Sequence, residues 1–524
     1  MNKRLRILLS GLMLIPAGLM AQSVEDAIKL YKFERYESAK TMLQPMAAGN
    51  ATANYYLGLC ELAMENRQAA REAFLKFPDD AANNAGLARV FFEESKSAEA
   101  MSMLTKVASR AKKKEWAPYK YAADAITYTD GGDPNVAVDW YKKALEVTKN
   151  GDLYSALGDV YRKIQGGGGN AMTNYEYAET YPETQSLANY KMGNLWYAAR
   201  NYDSALSKYG RASQLDPMNP LPFKALADAY YRVGKYKISK ENIEKYLDLS
   251  DKTTDDQIQY ANTLYLAKEY GMAIQKMNEL IGKGIEKPYM YRVLGYSQFE
   301  TKDYANALIN MDKFFSKQDP KKVIPQDYMY YGKILLTDTS TAQLAQTNFM
   351  KSVEIDTTKD KAGVYRQVAE AFKDAQKYAL AAEWYKKIIS ENSPSLEALD
   401  YWWSGVMYFY AKDYANAEPM LKLMSEKYPQ EPSSYYWLGR VTASSQDKEY
   451  KNGAALPYFS KWLEMVKDDP AKKNDLTKAY TYMAMIAYNG SKKDEARMYC
   501  DKLLGLDPND NTAKQILKGL ESMK

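Results

Sequence analysis

Three residues, Tyr190, Asn194 and Tyr197, are separated by steps of four and three, which places them on one face of a helix. A shift of 34 residues reads Lys224, Asp228 and Tyr231; further shifts read Ile258, Asn262 and Tyr265, then Arg292, Tyr296 and Phe299. If these faces stack, they set a column of rings beside a column of Asn, Asp, Asn and Tyr. Amides, carboxylates and phenols at regular intervals suit an extended peptide, whose backbone offers donors and acceptors at a matching rhythm while rings cover its side chains. The same residues suit packing between neighbouring helices, since aromatic stripes at helical spacing commonly belong to a core. A second cluster, Trp402, Phe409, Tyr410 and Tyr436, has the aromatic content of a contact hot spot. There the adjacency of Trp402 and Trp403 assigns at least one indole to the core.

Other chemistry finds little support. The 524 residues contain no His, which removes the side chain that titrates nearest neutrality and the commonest metal ligand. The 66 acidic residues are scattered over helical faces, and no carboxylate pair stands out as an acid/base couple. The glycine-rich run from Ile164 to Asn170 lacks the Lys-Ser/Thr ending of a phosphate loop and reads as a flexible turn. Cys60 and Cys500 stand singly within helical patterns and are expected as two unpaired thiols. No enzyme activity, metal or cofactor is expected.

Charge narrows the partners. Of 71 basic residues, Lys3, Arg4 and Arg6 belong to the leader, leaving 68 against 66 acidic ones. Such a near-neutral body lacks the concentrated basic face that nucleic acid requires, and the run Lys112 to Lys114 reads as a solvated helix end. The leader itself sets three positive charges ahead of an uncharged stretch from Ile7 to Ala21, followed by polar residues. This is the pattern of a cleaved secretory signal at 1–21, too short to span a bilayer, and no later segment is apolar enough to do so. With no Cys after the apolar run, a lipid anchor is not expected. Export places the mature chain in the periplasm or beside the outer membrane.

The elements that must carry the columns follow from a period in the chain. In the segment from Tyr190 to Pro217, Gly193 is followed three residues on by Trp196, then by Ala205, Tyr209, Ala212 and Pro217. The pattern returns as Ala227, Tyr230, Ser239, Ile243 and Tyr246, and again as Ala261, Leu264, Ala273, Met277 and Leu280. A small residue lets one helix approach its partner closely, and a bulky one a turn later fills the adjoining gap. Between the helices stands a short polar residue that turns and caps, then Tyr, then a second Ala, as in the repeated Asp-Tyr-Ala-Asn-Ala at 303–307 and 413–417. Pro217, Pro429 and Pro508 close second helices. First-helix small residues number 14, at Ala27, Gly58, Ala88, Ala123, Gly158, Gly193, Ala227, Ala261, Gly295, Gly332, Ala369, Gly405, Gly439 and Ala484.

These residues and spacings resemble tetratricopeptide repeats over essentially the whole mature chain. The resemblance implies an all-α, right-handed α-solenoid of about 14 helix-turn-helix units, whose first-helix face lines a concave groove. It places irregular repeats at 22–110, a regular array at 111–318, an array with longer loops at 319–508 and an amphipathic capping helix at 509–524. Of the groove positions at which the family clamps a C-terminal carboxylate, here Tyr190, Asn194, Ala225, Asp255 and Gln259, only Asn194 agrees, so that clamp is not expected. The function implied is a scaffold of the cell envelope that binds other proteins. The alternative is glycan or peptidoglycan binding by the same rings.

Overall fold

The computed structural model describes residues 23–522, apart from the side chain of Thr339; the leader expected at 1–21 lies outside them. Among the described residues there are 29 α-helices and no strand. Twenty-eight of them pair in chain order into 14 hairpins, and α29 closes the series. The fold is an α-solenoid built of helix pairs, in two compact units divided between Ile285 and Glu286.

Unit 1 holds eight hairpins: α1 (Val24–Lys32) with α2 (Tyr36–Leu43), α3 (Ala51–Ala63) with α4 (Arg67–Phe74), α5 (Ala81–Glu93) with α6 (Ser97–Ser109), and α7 (Ala117–Thr127) with α8 (Pro134–Val147). They continue as α9 (Gly151–Tyr161) with α10 (Gly168–Glu179), α11 (Gln185–Ala198) with α12 (Tyr202–Leu215), α13 (Pro220–Arg232) with α14 (Tyr236–Leu249), and α15 (Thr254–Leu266) with α16 (Tyr270–Gly282). Unit 2 holds α17 (Pro288–Glu300) with α18 (Tyr304–Lys317), α19 (Pro325–Leu335) with α20 (Ala342–Ile355), and α21 (Ala362–Asp374) with α22 (Tyr378–Ser390). It ends with α23 (Ala398–Tyr410) and α24 (Tyr414–Lys427), α25 (Pro432–Gln446) and α26 (Leu456–Val466), α27 (Lys473–Asn489) and α28 (Lys493–Leu506), and α29 (Asn511–Ser522).

Ten of the 14 hairpins turn by the same device. The second residue after the first helix takes a left-handed conformation, as at Arg200, Gly234, Lys268, Lys302 and Lys412, and the amide beyond it bonds back over five residues. Asn201 reaches the Trp196 carbonyl at 2.9 Å, Asp303 reaches Gln298 at 2.8 Å, and Asp413 reaches Tyr408 at 2.9 Å. The side chains of Asn201, Asp303 and Asp413 then accept from the amides of Ser204, Asn306 and Asn416 and cap the second helix. Ala205, Ala307 and Ala417, the closing residues of the repeated pentapeptides, are fully buried.

All 14 small first-helix residues are buried, each where its own second helix crosses. A Cβ built on Gly193 would stand 2.5 Å from the Tyr209 ring, and one on Gly405 would stand 2.5 Å from Leu421. Where the small residue is Ala, the same offset again brings a buried apolar side chain, such as Ile243 beside Ala227. Stacking merges these contacts, and in unit 2 the buried apolar residues from Met329 to Leu520 form one continuous core. That core ends on α29, which buries Ala513, Ile516 and Leu520 against α27 and α28 and turns Lys514, Gln515 and Lys518 outward. Cys60 and Cys500 are buried free thiols. The glycine run ends one inter-helix turn and opens α10, and the long loop after α25 is organised by Asp447, which accepts from the amides of Lys451, Asn452 and Gly453.

Substituting Gly193→Ala drives a methyl into the Tyr209 ring and is expected to cost about 1–3 kcal/mol. The change Gly210→Ala, in the middle of α12 with no atom within 4 Å of the new Cβ, is expected to stabilise by about 1 kcal/mol. Denaturant midpoints moving in opposite directions for the two variants are the check.

Candidate functional site

The groove columns expected from the sequence fall on the first helices of successive hairpins. Tyr190, Asn194 and Tyr197 lie on α11, Asp228 and Tyr231 on α13, and Asn262 and Tyr265 on α15, all in unit 1; Arg292, Tyr296 and Phe299 lie on α17 in unit 2. Much of their bonding capacity is used locally. The Tyr209 hydroxyl donates to Asn194 Oδ1 at 2.8 Å, Arg232 Nε donates to the Tyr197 hydroxyl at 3.1 Å, and the Gln259 amide donates to Asp228. Burial comes first among the influences on Asp228 and raises its carboxyl above the ordinary value.

The rings of this column act as staples across the turn. Tyr197, Tyr231, Tyr265 and Phe299 each meet the aromatic five residues later, Tyr202, Tyr236, Tyr270 and Tyr304, at centroid distances of 5.5–5.9 Å. Tyr231 nevertheless remains 42% exposed. Arg292 forks onto the buried carboxylate of Asp327 at 2.6 and 2.7 Å, and the Tyr296 hydroxyl donates to the same group at 2.6 Å. Arg366 does the same to Asp400, and Lys224 bonds Asp256 at 2.9 Å. A cation of one repeat thus ties to an acid in the first turn of the next repeat's first helix. The second sequence cluster also packs inward: Trp402 lies against Trp403 and Trp437, and Arg440 stacks over Phe409 and Trp437, while Tyr410 stays exposed.

Unit 1 contains a cavity of about 430 Å³. Its walls come from α1, α3, α5, α7, α9, α11 and α13, with Glu34 and Tyr36 from the first turn and Trp116 and Tyr128 flanking α7. Every helix that builds it is a first helix, apart from the opening residue of α2. A larger depression of about 660 Å³ beside α27 and α28 is shallower and open to solvent.

The cavity wall carries a chain of rings, Tyr36 to Tyr31, Tyr31 to Tyr56, Tyr56 to Tyr55 and Tyr55 to Tyr121, with successive centroids 5.2–5.7 Å apart. Burial lifts the phenols of Tyr31, Tyr55 and Tyr56 above their ordinary value, so they remain neutral donors and acceptors. The charges are arranged as pairs. Lys120 bonds Asp124 at 2.5 Å, Lys191 bonds Asp159 at 2.5 Å, and Lys32 bonds Asp152 at 3.0 Å. The Tyr141 hydroxyl donates to the second oxygen of Asp124, and the Tyr128 and Tyr175 hydroxyls both donate to Asp159. Burial pushes the nearby Cys60 thiol up to about 12, with Glu61 adding to the effect, so it is no nucleophile at neutral pH.

Of this lining the sequence columns contain only Tyr190. The register nevertheless continues upstream: relative to the small residues Gly58, Ala88, Ala123 and Gly158, the position of Tyr190 is occupied by Tyr55, Ala85, Lys120 and Ser155 and that of Asn194 by Leu59, Arg89, Asp124 and Asp159, all of which except Ala85 line the cavity. Stepping the columns back through the shorter repeats would have found them. Tyr31 and Tyr36 keep the register too, standing to Ala27 as Tyr197 and Tyr202 stand to Gly193, but nothing in the period says that they meet the later helices, which they do only through the closure of the unit.

That closure is made at Asp251, in the segment between α14 and α15. Its carboxylate accepts from the amides of Glu37 and Ser38 at 3.0 and 3.2 Å and from the Ser38 hydroxyl at 2.5 Å, beside Arg35. Helix α2 has no capping side chain of its own, and Asp251 fills that role from far along the chain. Lys29 with Asp216 and Lys32 with Asp152 add two further ties from the first hairpin to later repeats.

No family model matches the chain. A tetratricopeptide repeat-containing protein of Methanocaldococcus jannaschii is 24% identical over 205 residues, which cover 36% of this chain and 35% of that protein. The chain therefore spans about a third of the length of that curated relative. Among solved structures, the C-terminal part of a tetratricopeptide repeat-containing protein from Cytophaga hutchinsonii is 28% identical, covering 50% of this chain and 99% of its own, with a TM-score of 0.42. A tetratricopeptide repeat protein from Parabacteroides merdae is 19% identical, covering 51% of this chain and 98% of its own, with a TM-score of 0.32. The curated relative supports the tetratricopeptide-repeat resemblance that the small-residue period and the hairpin order carry.

Asp251→Ala is expected to cost about 1 kcal/mol, as loss of a helix cap does. Hydrogen exchange should rise through residues 24–43 while protection of α11 and α12 is kept. Unchanged exchange in the first hairpin would show that the carboxylate does not hold it.

Proposed function

We propose that the chain is a non-catalytic scaffold of the cell envelope, exported by its leader, that holds an extended segment of another protein against the first-helix faces of unit 1. The observation that supports this reading is the cavity itself: seven successive first helices contribute to one concave wall with a run of tyrosine rings and paired charges. Rings beside fixed donors and acceptors suit a peptide, which needs apolar cover for side chains and hydrogen-bond partners for its backbone. Repeat proteins that resemble this one use such inner walls for protein contact. Among the described residues, no helix is long and apolar enough to cross a membrane.

The test is capture of partners from envelope extract on the immobilised chain, with mass spectrometry of what is retained. Tyr56→Ala combined with Tyr121→Ala is expected to lower retention of the specific partner by about tenfold or more, as loss of a central ring does. Saturable binding of peptidoglycan or soluble glycan that survives protease treatment of the extract, with no protein retained, would replace this reading with the sugar-binding one.

A further inference from the structure

The cations facing the unit 1 cavity are not treated alike. Lys32, Lys120 and Lys191 each have an aspartate partner. Arg89, on α5, has none among the described residues, although it is only 6% exposed. Its Nε has no hydrogen-bond partner; the rest of the fork meets only neutral oxygens, with Nη2 3.4 Å from the main-chain oxygen of Asp124 and the Tyr31 hydroxyl as a side-chain partner. The Tyr128 ring lies 5.2 Å from the guanidinium, and Tyr31 and Tyr55 flank it.

Nearby acids cannot serve it without abandoning other partners. Both oxygens of Asp124 are taken by Lys120 and Tyr141, and both of Asp159 by Lys191, Tyr128 and Tyr175. Asp152 holds Lys32 with both oxygens, and Glu34, the last acid of the lining, is influenced chiefly by its own burial and then by Lys224 and Asp256. A guanidinium does not shed its proton in a protein, so burial cannot be relieved by neutralisation as it can for lysine. A fork of donors held out of water, aimed into a cavity and lacking a counter-charge matches a planar carboxylate.

We propose that Arg89 receives a carboxylate carried by the partner segment, an Asp or Glu side chain of an extended peptide, with Tyr56 and Tyr121 covering the residues beside it. This rests on the partner-segment reading above and adds the chemistry of its central contact. A peptide is favoured over a small free acid because the wall continues: Tyr190 lines the cavity, and Asn194 follows it by one turn on the same helix. Tyr31 belongs to the hairpin held by Asp251, so a seated carboxylate would touch the first hairpin as well as the later repeats.

The experiment uses the full chain and a fluorescent positional-scanning library of hexapeptides. Asp or Glu is expected to be enriched at one position by roughly tenfold or more, and the preference should vanish in Arg89→Met while persisting in Arg440→Met, a change confined to unit 2. Enriched peptides without acidic preference, or an acidic preference that survives Arg89→Met, would overturn the carboxylate assignment and leave the scaffold intact. No enrichment of any peptide would count against both. Binding of oligogalacturonate in place of peptides would overturn the peptide assignment. Should Arg89→Met lose its helical circular dichroism, the wild-type enrichment together with Arg89→Lys, which keeps the charge and removes the fork, decides the matter.

Discussion

A helix hairpin of this length cannot hide its own apolar face, and the whole molecule follows from how that face is closed. The decisive contact is between a small residue on each first helix and a bulky one about sixteen residues later on the second, as between Gly193 and Tyr209 or Gly295 and Met311. It brings the two axes close and leaves a ridge on either side, which the next hairpin must cover. Repeating the contact gives the solenoid, and α29 lays its one apolar face over the last of these hairpins.

The fold was legible because this contact is local. Gly193, Tyr209 and Pro217 announce one hairpin within a few dozen letters, and the polar-Tyr-small-small-Ala turn marks where it bends. The candidate site was legible only in part. The four-and-three spacing correctly put Tyr190, Asn194 and Tyr197 on a first helix, but sequence could not say that Tyr202 would engage Tyr197, or that Asp327 would occupy Arg292. Those partners come from the adjoining helix or the adjoining repeat, and periodicity is silent about which of two neighbours a polar atom will choose. The unit 1 cavity lies largely upstream of those columns, where the repeats are shorter and a fixed step of 34 no longer lands on the same positions.

Charge inside unit 1 is mostly held in neutral pairs, with Arg89 the exception on the cavity wall. The lysine and aspartate partners on the cavity wall, like the ties from Lys224 to Asp256, keep buried ions matched, and tyrosine hydroxyls complete the aspartates. Such a wall is polar without carrying a strong field. Its selectivity then comes from geometry, from where rings stand and where a fork of donors points, more than from long-range attraction. The abundance of Tyr over Phe, 47 to 13, fits this role, since each ring adds a hydroxyl that can close a carboxylate's coordination.

The cap supplied by Asp251 to α2 has a temporal consequence. Residues 37 and 38 leave the ribosome long before residue 251 does; at a synthesis rate of roughly 5–20 residues per second the interval is on the order of 10–40 s. During that interval the opening helix of the second arm has no side chain to quiet its amide ends. The earliest part of the nascent chain is therefore the part completed late, its second helix waiting for a carboxylate 213 positions further along.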